Sequence, residues 1–543
     1  MSRIQEVARE SFGWEQLRPR LAEAMEVLLD GGDVLAVMPT GYGKSSLYQV
    51  TGTILDGVTI VVSPLISLQE DQVRSLSEAT GVPRAVAINS SAGQRERERD
   101  WEALTSGEAG FAFLAPEQLA NPEVRERLRG IDVSLFAVDE AHCVSSWGHD
   151  FRPDYLLLGG VIDELGHPPV VAMTATGAPP VRTEIGERLG LRRPRLVATG
   201  FDRPNLRLEV VRHEEDAAKR AAVVAQVRRS EGSGLVYVST RTDAEQYAEE
   251  LLEAGIPAAA YHAGLRRAER EDVYERFMDG RARVVTATSA FGMGIDKHDV
   301  RSVVHASVTD SLDSYYQEAG RAGRDGRPAL VTLHYRPEDF ALTRFFSGGG
   351  PDADELARVF EAIAREPGIT RVELAERVEI SVRSLGRLLG LLRDAGVLSG
   401  SDDDLRAERL DPGTAAAKAV AEAASRQRIE HSRAQLMQEY AETGMCRRQF
   451  LLGYFGEELP EPCGNCDTCS SGSAKRWAEE HDASREEAFP LAARVRHETW
   501  GPGVVMHTDA DRLTVFFDEE GYKVLSLSAV TDGGLLEVLG PVA

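Results

Sequence analysis

Lysine is nearly missing from this chain. Six of its 62 basic residues are lysine and the rest are arginine, a bias that the codons of a GC-rich genome produce without any functional cause. Positive charge as a whole is scarce: 87 acidic residues leave a net charge of −25. A chain so acidic should hold nucleic acid weakly and salt-sensitively, through a local basic stripe only. Long apolar runs are also missing. Nothing approaches a membrane span, and the start, Met1-Ser-Arg-Ile-Gln-Glu, lacks the apolar stretch of a secretion signal. The expectation is a cytoplasmic protein with no membrane partner. Cysteine is sparse: five residues, four of them within Cys446–Cys469. That clustering excludes a disulfide framework and points to a metal site. The hydrophobic fraction of 42% is ordinary, so large cores are possible, and 543 residues imply three to five domains.

Met38-Pro-Thr-Gly-Tyr-Gly-Lys-Ser45 follows an apolar strand. In such a segment glycines let backbone N–H groups close on phosphates. Thr40, Gly41 and Gly43 shape the cradle, Lys44 neutralises the outer phosphates, and the Ser45 hydroxyl can ligate Mg²⁺. A strict cradle pattern has Gly where Met38 stands. About a hundred residues later Ala137-Val-Asp-Glu-Ala-His142 ends another strand. There Asp139 can hold the metal and Glu140 can polarise the attacking water. Together the two segments describe an ATP-driven motor; alone, either could be an ordinary strand-to-helix turn.

From residue 33 to 200 apolar runs alternate with helical patterns. The strand candidates are Val34–Met38, Val58–Val62, Phe111–Leu114, Leu135–Val138 and Val170–Met173. Phe201-Asp-Arg-Pro-Asn205 breaks the alternation, which restarts with Leu235–Val238, Ala258–Tyr261, Val284–Thr286, Val303–His305 and Leu330–Leu333. Two α/β domains with parallel sheets are expected, with a cleft between them. Ser347-Gly-Gly-Gly-Pro351 reads as a linker. Asp354–Arg365, Arg371–Val378 and Ser381–Ala395 read as helices and Val397–Leu410 as a hairpin, which suggests a winged helix or a plain helical spacer. A long helix over Ala415–Thr443 leads into the cysteines. Ser470–Ser473 and the charged run to Glu487 read as a tether. Arg494 onward alternates in polarity with turns between, as a small antiparallel barrel does. The expected divisions are 1–205, 206–346, 352–412, 413–472, 473–488 and 489–543.

Further motifs sit at strand ends. Ser63-Pro-Leu-Ile-Ser-Leu-Gln69 and Thr174-Ala-Thr176 offer hydroxyls that can bond phosphates or transmit nucleotide state. Tyr261-His262-Ala-Gly-Leu265 and Thr288–Asp296 occupy matching loops of the second domain. In Tyr316–Asp325, Arg321 and Arg324 stand three apart, as on one face of a helix. From the second domain they can reach the cleft and offset charge on the γ-phosphoryl. Arg324 is the finger candidate, Arg321 its partner, and Gln317 completes the candidate catalytic set with Glu140. Ala141–Tyr155 runs on from the carboxylates. Its Trp147, Phe151 and Arg152 could stack on single-stranded bases, with His142 relaying occupancy to Glu140; the alternative is ordinary core aromatics. Cys446, Cys463, Cys466 and Cys469 form C-x16-C-x2-C-x2-C, which can close a tetrahedral Zn²⁺ shell or hold an iron–sulfur cluster. Cys143 reads as a small buried residue.

These segments resemble the RecQ family of superfamily 2 DNA helicases. The resemblance rests on Phe12-Gly-Trp with Leu17-Arg-Pro19, the cradle, Asp139–Asp154, Tyr261–Leu265, Ala290–Ile295, Gly320–Gly326 and the cysteine segment with Arg447-Arg-Gln-Phe-Leu. It implies two tandem RecA-like P-loop domains, 3′→5′ unwinding of forked or partly single-stranded DNA with ATP and Mg²⁺, a role in repair or recombination, and zinc at the four cysteines. It also implies that Trp14 and Arg18 sandwich the adenine. Two departures stand out. Leu21 replaces the family's adenine-reading Gln, which leaves Gln16 or backbone groups to substitute. The helix-and-hairpin segment precedes the cysteines, where RecQ proteins place a winged helix after them. The last fifty residues resemble the Tudor-like tail of UvrD/PcrA helicases, which implies docking on a protein, RNA polymerase being one guess; a self-packed cap is the alternative. An RNA helicase, or a DNA-binding scaffold with a vestigial ATPase, is the rival function.

Overall fold

The computed structural model describes residues 2–89, 93–145, 151–292, 297–340, 350–400, 402, 404–481, 489–491, 493–508 and 512–541. The first lobe is a seven-stranded sheet of β1 (Val34–Val37), β2 (Val58–Val62), β3 (Arg84–Ile88), β4 (Ala109–Leu114), β5 (Val133–Val138), β6 (Val170–Thr174) and β7 (Arg195–Ala198). The order is β3-β4-β2-β5-β6-β1-β7, and every pairing is parallel. The second lobe has β8 (Leu206–Arg212), β9 (Ser233–Tyr237), β10 (Ala258–Tyr261), β11 (Val284–Ala287), β12 (Val300–His305) and β13 (Ala329–Tyr335). Its order is β10-β11-β9-β12-β13-β8, again all parallel. Parallel strands are covered by helices on both faces, so the inner ones are apolar throughout. β1, β2, β4 and β6 are buried at every position.

The sequence reading missed β3, β7 and β8. All three are sheet edges. An edge strand buries one face, so charge interrupts it: Arg84 opens β3, Arg195 opens β7, and β8 alternates as Leu-Arg-Leu-Glu-Val-Val-Arg.

Helices Ala353–Arg365, Arg371–Val378 and Val382–Asp394 follow. Each starts on a side chain that accepts a backbone N–H: Asp352, Thr370 and Ser381. A short hairpin, β14 (Leu398–Ser399) with β15 (Arg406–Ala407), completes the winged-helix-like unit. Its core of Leu356, Phe360, Leu389 and Leu405 closes on Ala415, Ala416 and Ala419. Those alanines begin the long helix Pro412–Glu442, which leads to helix Arg447–Tyr454 between the first two cysteines.

Residues expected to form a tether hold helix Ser473–His481 instead. Ala474 is buried, and Trp477 packs against Gly444. The chain ends in a five-stranded antiparallel sheet: β16 (Ala493–His497), β17 (Gly501–Thr508), β18 (Arg512–Phe517), β19 (Gly521–Ser526) and β20 (Leu536–Pro541), ordered β19-β18-β17-β16-β20. No described helix is long and apolar enough to cross a membrane.

Candidate nucleotide cleft and metal centre

The loop after β1 turns through Gly41 and Gly43, both at positive φ (79° and 98°), which only glycine adopts at low cost. Lys44 Nζ donates to Met38 O at 3.0 Å and so folds back over the loop. Its ammonium is pushed below the ordinary lysine value by burial, against the pull of Glu140 and Asp139. Asp139 follows β5. Burial first, and then the neighbouring Glu140, lift its carboxyl to about 7. Two carboxylates thus share one ammonium, an excess of negative charge that a divalent cation would neutralise. Glu140 takes a left-handed conformation, φ 47° and ψ 47°, uncommon for a side chain of this kind. Tyr155 Oη donates to Asp139 O at 3.1 Å. The turn is also tied to β6: His142 Nδ1 lies 3.0 Å from Thr174 Oγ1 and 3.4 Å from Glu140 Oε2. Thr174 Oγ1 donates in turn to Thr176 O at 2.5 Å.

The second lobe reaches into the same place. A side chain at Gly41 would meet Arg324 Cδ at 3.2 Å, so Arg324 lies against the cradle. Arg321 is buried beside the Tyr237 ring. The two arginines do not share a helix, as the sequence reading had it. Helix Leu312–Ala319 ends at Gly320, and Gly323 turns at positive φ (56°). They sit on consecutive turns, which lets them point to different targets. Gln317 is half-buried on the helix itself.

The adenine candidates cluster beside the cradle. Trp14 stacks on Phe12, with ring centroids 4.7 Å apart. The Arg18 guanidinium lies 4.3 Å over the Tyr42 ring and donates to Tyr42 O at 3.0 Å. Leu21 is buried and faces Gly43, while Gln16 is exposed.

Ser63 is buried, and its carbonyl accepts from Gln69 Nε2 at 2.8 Å. His262 is buried 3.1 Å from Glu245 Oε1. Trp147 lies outside the described residues. Arg152 Nη1 donates to Pro64 O at 3.3 Å. Phe151 lies under the Arg426 guanidinium at 4.5 Å, and Arg426 bonds Asp394 Oδ2 at 2.7 Å. Arg426 was not foreseen. It stands on the long helix, 275 positions from Phe151, and only the fold joins them. A cavity of about 920 Å³ opens here, lined among others by Phe151, Ser239, Thr240, Ser307, Thr309 and Arg426.

The four cysteines converge. Their Sγ atoms all lie within 4.8 Å of one another, with Cys463 to Cys469 and Cys446 to Cys466 each 4.0 Å apart. Four thiolates on one tetrahedral ion stand roughly 3.8 Å apart, given metal–sulfur bonds of about 2.3 Å. An iron–sulfur cube, with each thiolate on a different iron, holds them farther apart. The arrangement fits a single ion. Backbone N–H groups of Cys463 and Asn465 donate to Cys446 Sγ and Cys463 Sγ. Cys143 is buried away from this group.

Sequence comparison gives the arrangement a relationship. A DEAD/DEAH box helicase model matches residues 18–183, a helicase conserved C-terminal domain model matches 218–326, and a RecQ zinc-binding model matches 408–470. The probable ATP-dependent DNA helicase RecS of Bacillus subtilis is 33% identical over 496 residues, which cover 90% of this chain and 96% of that protein. The chain belongs to the RecQ family of ATP-dependent DNA helicases. RecQ of the same organism is 34% identical over 97% of this chain and 76% of its own length. Among solved structures, the helicase MrfA bound to DNA superposes with a TM-score of 0.53 at 16% identity, covering 76% of this chain and 63% of that one. That likeness concerns the fold alone. The RecQ zinc-binding match starts just before the long helix, so that helix and the four cysteines form one unit of the RecQ pattern, with the winged-helix-like unit set ahead of it.

Proposed function

We propose that this chain hydrolyses ATP between its lobes and converts each cycle into 3′→5′ movement along single-stranded DNA, unwinding forked or partial duplexes in repair and recombination in the cytoplasm. The observation that carries the reading is Arg324 of the second lobe seated against Gly41, in the cleft that holds Lys44, Asp139 and Glu140.

The roles follow from position. The loop Thr40–Ser45 wraps the phosphates, with Lys44 neutralising the outer ones. Ser45 and Asp139 would hold Mg²⁺, which supplies charge neutralisation between the phosphates. Glu140 orients and deprotonates the attacking water. Arg324 offsets charge on the γ-phosphoryl as the lobes close, and Arg321 and Gln317 hold that turn in place. Trp14 and Arg18 flank the base. His142, bonded to Thr174, links Glu140 to the loop carrying Trp147, Phe151 and Arg152, where bases would stack. Ser63, Thr174 and His262 line strand ends that face the DNA path. The four cysteines would hold zinc, which fixes the helical platform around them.

Hydrolysis and strand separation measured on forks of either polarity, in DNA and in matched RNA, test the reading. Activity is expected on DNA forks with a 3′ single-stranded arm and is expected to vanish in Lys44→Ala. Equal rates with and without oligonucleotide, or preference for the RNA forks, would sink it. Exposed Leu535, Val538 and Leu539 at the edge of the terminal sheet favour a second use, docking of a protein such as RNA polymerase.

A further inference from the structure

The terminal sheet is not merely laid against the rest of the chain. Gly521, where β19 begins, approaches the long helix so closely that a side chain there would meet Ser432 Oγ at 2.3 Å and Ile429 Cα at 3.0 Å. Tyr522 N–H donates to Ser432 Oγ at 3.0 Å. A second close approach lies nearby: a side chain at Gly453 would meet His507 Nδ1 at 2.8 Å. Met506, Phe516 and Tyr522 belong to the same buried core as both lobes and the cysteine module.

From that seat a chain of hydroxyls runs inward. Tyr522 Oη donates to Tyr454 Oη at 3.2 Å, and Tyr454 Oη donates to a carboxylate oxygen of Asp313. Tyr522 is 5% exposed, Tyr454 6% and Asp313 3%. Asp313 is the second residue of helix Leu312–Ala319, which carries Gln317 and ends in the turn of Arg321 and Arg324. Later residues of the helix are gripped as well. Tyr440 Oη of the long helix donates to Tyr315 Oη at 3.1 Å, and Tyr316 Oη donates to Phe201 O at 2.7 Å. In a buried relay each donor strengthens the next bond, and an unmade bond is costly.

We infer that Tyr522 is a positioning residue for hydrolysis: through Tyr454 and Asp313 the terminal sheet sets the angle of the helix that aims Arg324 at the cleft. The inference rests on the hydrolytic role proposed above for Arg324. It gives residues 489–541 a task inside the motor. Tyr522 touches no nucleotide and acts on the arginine turn through the two intervening side chains.

Tyr522→Phe removes one hydroxyl and keeps the ring. The expected result is a DNA-stimulated kcat lowered about tenfold with the KM for ATP unchanged. ADP should bind as before, while ADP with fluoroaluminate, which mimics the transferring phosphoryl, should bind about tenfold more weakly. Gly521→Ala attacks the seat rather than the relay and should give the same pattern. In an Arg324→Ala background, Tyr522→Phe should cost nothing more. A kcat equal to the parent protein's in Tyr522→Phe, or equal weakening of ADP and ADP–fluoroaluminate, overturns the inference. Both are read in a parent protein that hydrolyses ATP on DNA. A parent that does not do so defeats the functional reading instead.

Discussion

In the first lobe, the loops after β1 and β5 crowd Lys44, Asp139 and Glu140 into one half-buried spot. In the second, a turn beyond helix Leu312–Ala319 extends a single long side chain, Arg324, toward that spot. The two sheets are alike in their parallel strands. They differ in what their strand ends carry. The first lobe concentrates opposed charges around turns at positive φ, cheap at Gly41 and Gly43 and costly only at Glu140. The second contributes one charge from outside, carried by the turn beyond helix Leu312–Ala319 to the face of the cradle. On the function proposed above, the repeated fold divides one reaction, one copy holding the reactant and the other sensing when the cleft is shut.

The largest effects should break the two halves of that division separately. Glu140→Gln should lower hydrolysis by about 10³-fold while ATP still binds. Arg324→Ala should lower it by a similar factor, roughly 10³-fold, and should also make the residual rate insensitive to DNA. Single-turnover hydrolysis with and without oligonucleotide reads both. If Arg324→Ala kept DNA stimulation, the second lobe would not be the sensor.

Loss of the metal site comes next. Cys466→Ser should lower the melting temperature and scramble lobe orientation, because Cys466 pairs with Leu208 just after the chain passes between lobes. Metal analysis with limited proteolysis near residues 201–210 would detect it; an unchanged cleavage pattern would show that the cysteines do not brace the crossing.

A smaller effect separates the lobes by pH. His334 on β13 stacks against His213 and lies 2.9 Å from its Nε2. Burial, and then His213, depress its value from the ordinary one to about 4. The unfolded chain takes up this proton near pH 6.5 and the folded chain resists until about 4. Protons between those values favour unfolding, so stability falls as pH drops through that window, by roughly 3 kcal/mol. Urea unfolding at pH 7 and pH 5 should show the second lobe weakening, and His334→Gln should flatten the slope.

Much of this was legible in local strings. The cradle, the acidic turn and the cysteines are contiguous, so their chemistry reads without a fold. Edge strands were missed because Arg84, Arg195 and Glu209 interrupt their apolar pattern. Helix Ser473–His481 was misread because Ser-Gly-Ser looks like a linker, while the anchor that orders it, Trp477 on Gly444, is a contact between segments. Arg321 and Arg324 were placed on a helix because a three-residue spacing suits one; Gly320 and Gly323 end it first. The meeting of Phe151 with Arg426, and of Tyr522 with Tyr454 and Asp313, spans far too many residues for any string to reveal.

The smallest effect concerns the base. Leu21 beside Gly43 offers no hydrogen bond, so kcat/KM for ATP and GTP should differ by less than about tenfold, and Leu21→Gln should widen the gap in steady-state assays. A strong preference for ATP in the parent chain would move base reading elsewhere in the first lobe.

The metal module holds the two lobes differently. Toward the second lobe it offers Arg448 Nη2 to Leu206 O at 2.7 Å, Asp467 to the Val210 N–H at 3.3 Å, and the Cys466–Leu208 bridge. Toward the first it has the Arg182 bond to Phe455 O at 2.9 Å, Glu457 accepting from the Phe201 N–H at 2.9 Å, the Phe201 ring stacked on Phe455 at 4.3 Å, and Gly456 set against Pro179. When the jaws part, the module should therefore stay with the edge strand β8 that it pairs to, and the cluster of Arg182, Phe201, Phe455 and Glu457 becomes the hinge about which the first lobe swings.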